Sequence, residues 1–139
     1  MQRAVAIAEA LSLLVLPGCG SSGSDTAIRK TLERGVAQIG EPQTAKQLRG
    51  DVERTIARLR SERASTATGR KARTLAIQGF TWTLRGVEAR LEITRNDSGN
   101  LEASVRDAKR ADRDMRRGAG LLRAAGCALG IRIGKLNGF

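Results

Sequence analysis

Apolar positions recur along this chain at helical three- and four-residue spacing, in four stretches separated by clusters of Gly, Pro, Ser and Asn. The first runs from about Asp25 to Ile39, with Ile28, Leu32, Val36 and Ile39 on one face and Ser24 or Asp25 placed to cap it. Gly40-Glu41-Pro42 breaks it, and Pro42 suits the first position of a new helix. That second helix reaches about Arg63, turning Leu48, Val52, Thr55, Ile56 and Leu59 inward. Its outer face mixes Arg49, Glu53, Arg54, Arg58 and Glu62. Ser65 to Gly69 reads as a linker.

The third stretch, about Arg70 to Arg95, carries two apolar stripes. Phe80, Leu84, Val87 and Leu91 form one, and Leu75, Trp82, Ala89 and Ile93 form the other. A helix apolar over most of its circumference needs several neighbours, which predicts a central position and a core Trp82. Asn96 to Asn100 has the composition of a turn. In the fourth stretch Leu101, Val105, Ala108, Asp112, Met115, Ala119, Leu122, Gly126 and Leu129 alternate at four and three residues, the heptad of a helical seam. Asp112 is then expected as a polar residue fixing register against an Arg of a neighbouring helix. Gly126, Gly130, Gly134 and Gly138 make the last residues poor helix.

These patterns predict an all-α fold: a small up-and-down antiparallel bundle of three long helices with a shorter leading one. The bundle is expected over residues 25–126. A tail over 127–139 is expected to be poorly ordered, or to hold a short extended piece at Ile131-Arg132-Ile133.

The segment ahead of the bundle has a different character. Arg3 is its single cation, Ala10 to Leu16 is a short apolar run, and Leu16-Pro17-Gly18-Cys19 closes it before Gly20-Ser21-Ser22-Gly23-Ser24. The run is far short of the ~20 residues that span a bilayer. The arrangement resembles the signal peptide of a bacterial lipoprotein, with Pro17 standing where that pattern has a small residue. The resemblance implies a signal over residues 1–18, cleavage before Cys19, and a Cys19 thioether carrying diacylglycerol. Residues 19–24 would be the lipidated cysteine and its Ser/Gly tether. It further implies a chain held on the extracytoplasmic side of a cell membrane by acyl chains, each buried CH₂ worth about 0.8 kcal/mol. In type the chain looks like the small helical lipoproteins of GC-rich bacteria.

Composition narrows the chemistry. The 139 residues suit one domain, aromatics make up 2%, and the core must be aliphatic and Ala-rich. His is absent, which removes the commonest general base and metal ligand. The formal net charge is +11, an attraction for nucleic acid, anionic lipid or anionic envelope polymer. Cys19 and Cys127 are the only cysteines. They fit no zinc motif, and Cys127 is expected as a packed small side chain, or as the partner of Cys19 in a disulfide.

No nucleophile elbow, phosphate loop or metal-ligand cluster is present, so no enzyme, metal or cofactor is expected. The best candidate site is the outer arc of the fourth helix: Arg106, Lys109, Arg110, Arg113, Arg116 and Arg117. Such a row can set several donors against phosphates or carboxylates. The leading expectation is an extracytoplasmic lipoprotein acting as a non-enzymatic binding or structural module. The alternative is a cytoplasmic basic helical protein that binds nucleic acid or another polyanion.

Overall fold

Four helices appear where the periodicity places them, and the described residues contain no strand. The computed structural model describes residues 25–95, 99–134 and 136. The signal-like segment and Cys19 lie outside them. Helix α1 covers Thr26–Gly40, α2 Ala45–Ser61, α3 Ala67–Arg95 and α4 Leu101–Ala128. Short connections fold them up and down, so that the start of α1, the end of α2, the start of α3 and the end of α4 meet at one pole, the base. Contacts there include Thr31 Oγ1 donating to Glu62 Oε1 at 2.5 Å and Arg29 donating to the Leu129 carbonyl.

The helix ends are set by local chemistry. Pro42 does not open α2. Thr44 caps it in a capping box: its hydroxyl accepts from the Gln47 amide at 3.2 Å, and the Gln47 side chain accepts from the Thr44 amide at 2.9 Å. Asp25 does not cap α1. Its buried carboxylate instead crosses to the α2–α3 joint. There it accepts from the Ser65 amide at 2.8 Å and from the Thr66 hydroxyl. Thr66 Oγ1 in turn accepts from the Gly69 amide at 2.9 Å. The α3 helix therefore starts inside the expected linker, and Gly69 is helical. A Cβ there would lie 2.2 Å from the Asp25 carboxyl carbon, so only glycine admits the contact.

The chain after α4 is ordered around Gly130, whose φ of 69° is left-handed. The Ile131 amide donates to Gly126 O at 2.8 Å and the Gly130 amide to Cys127 O at 3.1 Å, a Schellman stop. Ile131, Ile133 and Leu136 then fold back onto the core.

The α3 helix is central, as expected, but its second buried face differs from the expected one. One side sets Phe80, with half-buried Leu84, among Ile28, Leu32, Ile39, Val52, Ile56 and Leu59, and Val87 is buried further along the helix. The side facing α4 is built of small residues: Ala72, Ala76, Gly79, Thr83 and Gly86 at alternating spacing. They meet Ala111, Met115, Gly118, Leu122 and Ala125 of α4. Trp82, expected in the core, is only half-buried on the flank.

The α4 heptad holds only in its second half. Leu101 is 77% and Val105 45% exposed, Ala108 and Asp112 are exposed, and Ala111 takes the seam position instead. Helix lengths explain this. At 29 and 28 residues, α3 and α4 run about 42 Å, whereas α1 and α2 have 15 and 17. The short pair cannot cover the far end. No residue of α3 beyond Val87, and none of α4 before Ala111, is fully buried among the described residues. The two long helices project there as a hairpin. No helix of the described residues is long and apolar enough to cross a membrane.

Candidate functional site

The small-residue seam presses one side of α4 against α3 and turns the opposite arc to solvent. Arg106, Lys109, Arg110, Arg113, Arg116 and Arg117 are all exposed along that arc. The neighbouring acids are drawn aside: Asp112 pairs with Arg90 at 3.0 Å and Asp114 lies 3.9 Å from Arg85. Asp112 thus meets an arginine of the neighbouring helix, as expected, but at the surface and not inside the seam. None of the six cations forms an ion pair among the described residues. Arg106, Lys109, Asp112, Arg113 and Arg116 line an open depression of about 410 Å³.

Arg117 closes the arc at Trp82. Its guanidinium carbon lies 4.1 Å from the ring centroid, and that of Arg85 lies 4.4 Å away. Each such contact is worth about 0.5–1 kcal/mol at an exposed site. The ring holds two guanidinium groups in place, so Trp82 organises charge where the sequence suggested a core residue. The arrangement offers fixed donors to phosphate or carboxylate oxygens.

A second basic surface surrounds the base, and sequence reasoning missed it. Arg29 and Lys30 come from α1, Arg58, Arg60 and Arg63 from the end of α2, Arg70, Lys71 and Arg73 from the start of α3, and Arg123 and Arg132 from the end of α4 and beyond. All are exposed except Arg29 and Arg73, which are half-buried. Two acids lie among these cations, Asp25 and Glu62: Asp25 is held inward by Ser65 and Thr66, and Glu62 accepts from Thr31 and pairs with Arg58 at 4.0 Å. Elsewhere the charges nearly cancel. From Glu33 to Arg54 four cations meet four acids, and from Arg85 to Arg117 nine meet seven. The base therefore carries eight of the net +11. Its signal in the sequence is the stretch Arg58 to Arg73, six cations against Glu62 alone.

No protein-family model matches the chain, and comparison with curated proteins and with solved structures gives no match.

The partners of Asp25 at the base shift its titration. The Thr66 hydroxyl holds its carboxyl below the usual value near 3.8, with help from the Ser65 and Thr66 amides and the charge of Arg70, against the opposing effect of burial. Cys127 is an exposed, free thiol, not a packed one, and Cys19 lies outside the described residues. Among the described residues no cluster of His, Cys, Asp or Glu could hold a metal ion.

Proposed function

We propose that the chain is a lipoprotein of the extracytoplasmic face of a cell membrane, anchored through Cys19, whose bundle is a non-enzymatic binding or structural module. The observation that carries this reading is Leu16-Pro17-Gly18-Cys19 with its apolar run and Ser/Gly tether. Asp25, the residue that follows the Ser/Gly stretch, is tied into the base by the joint of two other helices. On this reading the row from Arg106 to Arg117 is the module's contact for an anionic partner, such as an envelope polymer, with no cofactor involved.

Mass spectrometry of the protein expressed in a bacterial host tests the anchor. The expected product begins at Cys19, carries acyl chains and partitions into detergent, and Cys19→Ala abolishes both processing and partitioning. A soluble, unprocessed chain that retains Met1 would overturn the reading in favour of a cytoplasmic polyanion binder.

A further inference from the structure

We infer that the basic base of the bundle is a docking surface for anionic lipid headgroups, and that it orients the α3–α4 hairpin away from the bilayer. The inference rests on the lipoprotein reading for its geometry. Six chain steps separate Cys19 from Asp25, and these reach at most about 21 Å fully extended. An anchor at Cys19 therefore holds the base, and no other part of the molecule, close to the headgroups.

The charge is distributed to match. The tethered pole carries nearly three quarters of the net charge, while the projecting hairpin is almost balanced. Asp25 is engaged inward and Glu62 offsets Arg58, while Arg60, Arg63, Arg70 and Lys71 form no ion pair among the described residues. Arg60, Arg63, Arg70 and Lys71 are all exposed around the α2–α3 joint, the joint that also holds Asp25 and hence the tether. An anionic bilayer attracts each cation within a Debye length of about 8 Å by roughly fivefold in affinity. Acyl chains fix the chain to the surface without fixing its tilt, and the ring of cations supplies the tilt. The far end of the hairpin, where Leu101 and Val105 are exposed, is then directed outward.

The test uses the full chain carrying Cys19→Ser, which removes acylation and leaves the base intact. Binding is measured by co-sedimentation with vesicles of phosphatidylcholine alone or with about a third phosphatidylglycerol. Neutral vesicles report whatever residues 1–18 contribute. We expect binding to anionic vesicles that weakens steeply with salt. Changing Arg60, Arg63, Arg70 and Lys71 to Gln should weaken it at least a hundredfold, at about fivefold per residue. Changing Arg106, Arg110, Arg113 and Arg116 to Gln removes the same charge and should weaken it less than fivefold. Arg→Lys at Arg60, Arg63 and Arg70 should preserve it. Equal losses from the two quadruple variants would show that only net charge counts and overturn the inference. So would tighter binding of the parent to duplex DNA than to anionic vesicles. If the base quadruple loses its helical signal, the single changes Arg63→Gln and Lys71→Gln must each show the fivefold loss. Acylation of the unmodified protein is read separately by mass, so failure of the anchor and failure of the base give different results.

Discussion

Two glycines of α4, two residues apart, should respond to alanine in opposite directions. Gly118 lies in the seam and Gly120 faces solvent. A Cβ at Gly118 would stand 2.6 Å from Thr83 Oγ1, 2.7 Å from the Gly79 carbonyl oxygen and 3.0 Å from the Thr83 amide nitrogen. Two of these are backbone atoms of α3 and cannot rotate away. To restore ordinary contact the helices must part by about 0.7 Å, opening the packing along their shared length. Overpacking of this kind costs about 1–3 kcal/mol. Alanine returns about 1 kcal/mol of helix propensity at both positions. The difference is about 0–2 kcal/mol, and because the obstruction is backbone the expected net loss for Gly118→Ala lies in the upper half of that range, about 1–2 kcal/mol. Gly120 has nothing within 4 Å of the added carbon, so Gly120→Ala should gain about 0.5–1 kcal/mol. Urea unfolding of each full-length variant, followed by far-ultraviolet circular dichroism, measures the difference. With a slope of about 1–3 kcal/mol/M, the two midpoints should separate by roughly 1 M. A Gly118→Ala protein as stable as Gly120→Ala would mean that α3 and α4 do not touch through these residues, and the seam would be wrong.

Three further outcomes follow from the same structure. Phe80→Ala should cost about 3–5 kcal/mol, because the ring is fully buried between α3 and the short helices, and Leu84→Ala, half-buried, should cost less. A loss at Phe80 below that at Leu84, read by the same urea titration, would reverse the assignment of the two positions. Asp25→Asn should lower stability by about 1–3 kcal/mol at neutral pH, by weakening charge-assisted hydrogen bonds to Ser65 and Thr66. Because folding depresses this carboxyl's pKa, its contribution is full above the unfolded value near 3.8 and fades as pH falls through the lower folded one. The gap between wild type and variant should close in acid, and a gap that persists there would rule out ionisation as its source. Trp82 is the chain's single tryptophan and Arg117 lies over it, so Arg117→Gln should make its fluorescence more accessible to acrylamide. Unchanged quenching would remove Arg117 from the ring.

The helices were legible because large aliphatic side chains mark one face of each, as Ile28, Leu32 and Ile39 do for α1. The face that joins α3 to α4 was not, because Ala72, Ala76, Gly79 and Gly86 leave almost no trace in a pattern weighted by hydrophobicity. They bury backbone, and the close approach becomes visible only when both helices are in place. Leu101 and Val105 misled in the other direction. Their spacing is that of a seam, but no partner is long enough to reach them. Thr44-Ala45-Lys46-Gln47 carried a readable capping box two residues past Pro42, which is itself a common first residue of a helix. Asp25 looked like a local cap because its partners lie 40 and 41 residues away. The candidate arc on α4 was visible as a single-helix pattern. The basic base was not, because its charges come from all four helices and gather only when the chain folds up and down.

The position of Asp25 also decides how the molecule would bear a mechanical load. A pull on the residues before the bundle arrives first at this side chain, and there it divides. Part of the force passes down the axis of α1, and part crosses through the carboxylate to the joint between α2 and α3. Peeling α1 from its leading end would require the carboxylate's hydrogen bonds to fail together, before any apolar contact of Ile28 or Leu32 is disturbed. Tension on the chain's leading end is in this way shared by three helices from the outset, and the Ser65-Thr66 joint is the place where that sharing can be broken.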